Sequence, residues 1–254
     1  MKKFNNISMK RFYELDFLRG SAIILMIIVH ILHILNLLGN NYNYPLGTGF
    51  WLYFSRSAAS MFILLAGISL TLSTKISASP PLIKILKRGL KIFSWGLIIT
   101  FITWFALKEG FVVFGILHFI GLSLIISYPF LSFSPALNLL LGIAIILLSL
   151  PISQLILQTP WLLWLGLRPA GFHSIDYFPL FPWFGIFLTG IALGNTYYPK
   201  SVRKYPIPDL SKIFPVKCLC FIGRNSLAIY LMHIPALIIA LLLMGYIDIT
   251  LLFN

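Results

Sequence analysis

The sequence predicts an all-α, polytopic membrane bundle of about seven transmembrane helices with its N-terminus in the cytoplasm. Three observations lead there. Apolar residues make up 59% of the 254 and charged residues only 10%. Several uninterrupted apolar runs reach the ~20 residues that a helix needs to cross a bilayer core of about 30 Å. Lys and Arg gather in alternate connections between those runs, as cytoplasmic loops do.

Each span follows from a run and the breakers around it. The first covers 17–38. The preceding "MKKFNNISMKR" imitates the start of a secretory signal, but the run behind it lasts about twenty residues and has no small-x-small cleavage site, so it reads as a retained helix. The second, 50–73, opens on Trp51 and Tyr53, amphipathic rings that favour the membrane boundary. A third (91–107) and a fourth (112–131) follow. The fifth, 135–157, is interrupted by Pro151 and Pro160, and "PWLLWLGLRP" behind it reads as either the end of the span or an interfacial, re-entrant piece. The sixth, 178–198, closes on Tyr197 and carries "GIALG", a G-x-x-x-G spacing that, with Gly67, Gly121 and Gly185, suits close helix packing. The seventh covers 220–246.

Charge tests this count. Lys2, Lys3, Lys10 and Arg11 precede the first span, Lys75, Lys84, Lys87, Arg88 and Lys91 follow the second, and Lys200, Arg203, Lys204, Lys212 and Lys217 follow the sixth. The alternate connections are nearly free of them, which places the N-terminus inside and the C-terminus outside. The net charge of +13 is thereby explained by topology, and no aromatic-laced basic patch points to nucleic acid. Cys218 and Cys220 form C-x-C, which fits neither zinc nor a dithiol redox motif and reads as packing; no metal site is expected. No internal repeat or long polar insert appears, so 1–254 is read as one membrane domain.

Ionisable residues within spans are costly, about 2.5–3.5 kcal/mol for a central Asp or Arg on insertion scales, and usually mark a site or pathway. Along the first helix, Asp16, Arg19, Met26, His30 and His33 fall within one stripe of about 100°. Eleven residues at ~1.5 Å each set His30 roughly 16 Å beyond Arg19, so a charge-binding mouth leads to a titratable group. "IGRNSLAIYLMHIP" places Arg224 and Asn225 at the same edge, and Ser226, Tyr230 and His233 on one face of the last helix, with Arg224 opposite His233. His118 and Asp176, near the outer ends of spans four and six, are a candidate acid/base pair whose meeting the sequence leaves open. Arg56 and Arg168, at outer edges, read as anchors.

These residues carry a resemblance. "LDFLRGSAIILMIIVH" resembles the opening of the transmembrane acyltransferase superfamily, in which Arg, ten residues and His recur on the first helix; here they are Arg19 and His30. "GILHFIGLS", "DYFPLFPWFGIFLTGIALG" and "IGRNSLAIYLMHIP" are similar to later blocks of the branch that includes heparan-alpha-glucosaminide N-acetyltransferase, with short prokaryotic members. The match runs from about residue 11 to 240. It implies transfer of an acetyl group from cytosolic acetyl-CoA to an amine or hydroxyl of a sugar or glycoconjugate acceptor across the cell membrane. One departure stands out. The lysosomal heparan enzyme looks to use a histidine in its first extracytoplasmic loop, whereas "GNNYNYPLGTG" has none, which leaves His30 or His118 as the base and makes heparan itself an unexpected acceptor.

The residues suit that chemistry. Arg19, Arg224, Asn225 and Arg88 are placed to hold the phosphates of CoA by charge-assisted hydrogen bonds, and His30, with His118 and Asp176 as further catalytic candidates, to take the acceptor proton. Asp16, His33, His233, Ser226 and Tyr230 line the same site. Two other classes compete: a transporter of a small anionic or sugar-like solute, whose substrate path also needs intramembrane charges, and a haem protein with facing imidazole ligands. The sequence leaves homodimer formation open.

Overall fold

The structure is a computed structural model and describes residues 11–39, 42–75, 81–107 and 109–248. Lys2, Lys3 and Lys10 of the charge argument lie outside the described residues. Eight α-helices stand among those described: α1 (Tyr13–Leu38), α2 (Gly49–Lys75), α3 (Pro81–Ala106), α4 (Ile116–Ile126), α5 (Pro135–Ile152), α6 (Leu180–Tyr197), α7 (Phe214–Arg224) and α8 (Ser226–Leu243). Five of them, α1, α2, α3, α5 and α8, are long and apolar enough to cross a membrane. The protein is a multi-pass, all-helical membrane protein.

Several boundaries differ from the sequence reading, each for a local reason. α3 begins at Pro81 rather than 91, because proline suits the first helical turn and the basic residues Lys84, Lys87 and Arg88 continue the helix past the apolar run. α4 starts only at Ile116, since Phe114 is extended and bridges Tyr177. It ends at Ile126, and a 3-10 turn, Pro129–Ser132, leads on to α5. α5 opens on a true cap, with the Ser134 hydroxyl accepting from the Leu137 amide at 3.2 Å, and ends at Ile152 directly after Pro151. "PWLLWL" is a separate 3-10 turn closed by Gly166 at φ 118°, a conformation that favours glycine.

The largest correction concerns the last span. Residues 220–224 do not belong to it: the chain breaks at Asn225 between α7, an amphipathic helix crossing α1, and the membrane-length α8. The opposite-face argument for Arg224 and His233 assumed one continuous helix and therefore fails.

Helix pairs meet backbone to backbone at glycines. A methyl on Gly67 or Gly190 would strike the Phe187 or Leu64 carbonyl, so α2 and α6 touch directly, and Gly142 and Gly185 do the same for α5 and α6. Gly20 and Gly223 bring α7 against α1 in the same manner. Small residues permit such approach where lipid supplies no hydrophobic drive between helices. Gly190→Ala is expected to cost about 1–3 kcal/mol through overpacking, read as a lower midpoint of thermal unfolding in detergent.

The core gathers Ile23 of α1, Phe119 of α4, and Phe187, Leu188 and Ile191 of α6, all fully buried. Leu97, Phe101 and Phe105 of α3 and Leu140 and Leu147 of α5 are instead more than half exposed, the pattern of lipid-facing surface. α3 packs on α4 and barely touches α1, leaving a seam between α1 and α3. At the start of α1, Glu14 accepts a bidentate pair from Arg203 (2.7 Å from Nε to Oε1, 2.5 Å from Nη2 to Oε2), and the Tyr13 hydroxyl donates to the Pro208 carbonyl at 2.6 Å. These bonds strap the polar connection before α7 to α1.

Candidate functional site

Three groups of polar side chains line up from the Arg19 end of α1 to the start of α4. At the first, Asp16 is 5% exposed and joins two guanidiniums: Arg19 Nη1 donates to Oδ1 at 2.9 Å and Arg224 Nε to Oδ2 at 3.3 Å. Arg19 Nη2 also donates to Ser69 Oγ of α2 at 2.5 Å. Arg88 of α3, itself exposed, lies close enough for the Arg19 charge to act on it. Two guanidiniums therefore share a single carboxylate, with the Arg88 charge nearby and unpaired to it, which leaves net positive charge of the kind that binds a phosphate dianion. Asn225 does not join them; its amide donates to the Phe221 carbonyl at 2.9 Å and closes α7. Ser226 opens α8 beside it, partly buried.

Farther along α1 stand His30, His33 and, from α8, His233. The His30 and His233 rings meet edge to face with centroids 4.8 Å apart, and His33 is 6.3 Å from His30. Hydrogen bonds fix the tautomers. His30 Nδ1 lies 2.8 Å from the Met26 carbonyl, which only accepts, so the proton sits on Nδ1 and Nε2 keeps its lone pair. His233 Nδ1 donates to the Tyr230 carbonyl in the same way. Its Nε2 is buried without a hydrogen-bond partner among the described residues, an arrangement that costs about 1–3 kcal/mol unless something else supplies a donor. Tyr230, buried beside His233 with ring centroids 5.3 Å apart, feels the charge of Asp176, so the histidine group borders the third cluster.

That cluster surrounds the first turn of α4. The Gly115 amide donates to His118 Nδ1 at 3.2 Å, so Nε2 carries the proton and faces Thr100 Oγ1 at 3.3 Å. His118 is 2% exposed, edge-on to Phe93 and stacked on Phe114. Both its nitrogens are thus engaged. Asp176 accepts from the Ile116 amide through Oδ2 at 3.1 Å, where a helix N-terminus favours a carboxylate. It is packed among neighbours yet keeps some accessible edge, and burial pushes its carboxyl up to about 6. His118 and Asp176 converge on adjacent amides, Gly115 and Ile116, without bonding to each other.

Two contributors escape sequence reading, Ser69 and Thr100. Each is a small hydroxyl in a long apolar helix, a signal too common to single out. Cys220 is buried with its thiol against the Tyr13 carbonyl at 3.3 Å, consistent with a packing role, and Cys218 is exposed. Among the described residues no cluster of His, Cys, Asp and Glu suits a metal ion.

Comparison with known proteins bears on this arrangement. The catalytic domain of heparan-alpha-glucosaminide N-acetyltransferase matches residues 11–235. No curated protein and no solved structure matches the chain. The matched stretch holds α1 to α7 and the first half of α8, with all three clusters. The chain belongs to the heparan-alpha-glucosaminide N-acetyltransferase family of membrane acetyltransferases.

Proposed function

We propose that the whole chain, 1–254, is one catalytic unit of the cell membrane that moves an acetyl group from acetyl-CoA on the cytoplasmic face to an amine or hydroxyl of a sugar-like acceptor on the other. In this reading the N-terminus is cytoplasmic and the Arg19 end of α1 opens there, with Lys84, Lys87 and Lys91 of α3 at the same edge. The observation that carries it is that α1 holds both Arg19, the centre of the guanidinium cluster, and His30, whose Nε2 has no partner among the described residues.

Arg19, Arg88 and Arg224 hold the CoA phosphates by charge-assisted hydrogen bonds, with Asp16 fixing two of the three beforehand. The pantetheine arm then follows α1 toward His30, about 16 Å away. His30 Nε2 takes the proton as the acceptor nitrogen or oxygen attacks the thioester carbonyl. The tetrahedral adduct collapses, the C–S bond breaks, and the same proton passes to the CoA sulfur, so the base is restored. His233, His33, Tyr230 and Ser226 wall this region. Asp176 has its Oδ1 left to accept a hydrogen bond from the acceptor, and His118 holds the turn that presents Asp176.

Titration calorimetry of the purified protein with acetyl-CoA tests the donor half. Arg19→Gln is expected to weaken binding roughly 30-fold or more, since removing a partner from a buried charge pair costs about 2–5 kcal/mol. Absence of heat or thermal shift at saturating acetyl-CoA with the unaltered protein would sink the reading. Solute uptake into vesicles without an acetylated product would favour the transporter instead.

A further inference from the structure

We propose that the acceptor arrives as a membrane-held, phosphate-linked amphiphile, its hydrocarbon chain in a cleft between Phe114 and the Trp161–Trp164 turn and its phosphate on Arg168. The cleft, about 310 Å³ and open on one side, lies between Phe114, Leu163, Trp161 and Trp164, with Val113 and Pro160 completing it. Its walls are almost wholly ring and aliphatic surface. A sugar needs donors and acceptors for its hydroxyls, whereas a hydrocarbon chain needs only such walls.

The surroundings point to the bilayer as the source. α5 presents Leu147, Leu148 and Leu150 at 59%, 52% and 63% exposure, and beyond it exposed apolar side chains (Leu155 at 56%, Ile156 at 70%, Trp161 at 80%) are interspersed with exposed Ser153, Gln154, Gln158 and Thr159. Such a mixture of apolar and polar exposed groups suits the boundary of a bilayer, and it extends from the end of the span to the rim of the cleft. Tryptophan at a membrane boundary also serves as a plain anchor, but an anchor has no preference for a headgroup.

Arg168 supplies the preference. It is the one Lys or Arg between 153 and 179, is exposed, and takes part in no ion pair among the described residues. Its backbone bridges Ile156, and its side chain lines a second, more polar cleft of about 370 Å³ with Gln154 and Ser153. The guanidinium charge reaches Tyr177, whose hydroxyl donates to the Leu163 carbonyl at 2.7 Å on the wall of the apolar cleft. Chain and phosphate sites are therefore neighbours. The inner wall, Phe114, stacks on His118 and precedes the turn that Asp176 caps, so an amphiphile seated here presents its far end to the third cluster. Naming this ligand the acceptor rests on the acetyltransferase reading; its binding does not.

The test uses two photoreactive probes with the same diazirine-bearing alkyl chain, one ending in phosphate and one in a neutral glucoside, on the full chain in phosphatidylcholine nanodiscs. The phosphate probe is expected to label the peptide holding Pro160–Trp164 at least fivefold more than the glucoside. Arg168→Gln removes that preference, and Trp161→Ala, at a highly exposed position, lowers labelling by both probes. Equal labelling by the two probes, a preference that survives Arg168→Gln, or labels spread over α3 and α5 would overturn the proposal. Acetyl-CoA calorimetry separates the failures: labelling without nucleotide binding sinks the enzyme reading and leaves the lipid site, and the reverse does the opposite.

Discussion

Alanine at position 30 is expected to lower kcat by about a hundred- to ten-thousand-fold, the usual worth of a positioned general base, while acetyl-CoA binds as before. Nδ1 of His30 is tied to Met26 O within the first helix, so the ring's loss removes the free Nε2 lone pair without touching the Asp16 cluster. The half-buried side chain sits beside His233, so His30→Ala leaves a second imidazole at hand. Residual turnover that disappears in a His30→Ala/His233→Ala pair would show His233 substituting for it. Full kcat in the single variant would remove His30 from the reaction. Calorimetry on the same preparation separates lost chemistry from lost donor binding.

The second large effect falls on stability. Asp16→Ala is expected to destabilise the protein by about 3 kcal/mol, at the low end for breaking a buried charge network, because Arg224 keeps 47% of its side-chain surface and solvent screens part of its charge. Arg19 and Arg224 would then lose their counter-ion with the Arg88 charge close by. Asp16→Asn keeps a hydrogen-bond acceptor at one position and is expected to lose less. Thermal unfolding in detergent reads both, and acetyl-CoA should raise the midpoint of Asp16→Ala more than that of the unaltered protein, since phosphate restores the missing negative charge. Equal midpoints for all three proteins would show that Asp16 contributes nothing to holding the helices together.

How much of this was visible beforehand depended on distance along the chain. Asp16, Arg19 and His30 lie on one helix, so their shared stripe follows from the 3.6-residue period alone. The two imidazoles of His30 and His233 come from helices 200 residues apart, and only packing could pair them. Arg224 was misplaced because a regular period was carried through Asn225, where the helix in fact ends, and the residue thereby turned from the far side of His233 to the near side of Asp16. Arg88 was named from its charge, yet a hydropathy window had set it in a loop; the helix through it is held by tertiary contact of Gly89 with Gly121, which hydropathy does not register. His118 is a candidate base in the sequence, alone or paired with Asp176. The Gly115 amide and Thr100 that occupy its nitrogens are individually unremarkable residues, and nothing in their spacing announces the contact.

The loose junction of the first and third helices has a mechanical consequence. Arg88 stands on one side of it and Arg19, paired with Asp16, on the other, so the two guanidinium charges repel wherever the carboxylate does not screen them. A polyanion bound between them would reverse the sign of that force and hold the two helices to a common partner.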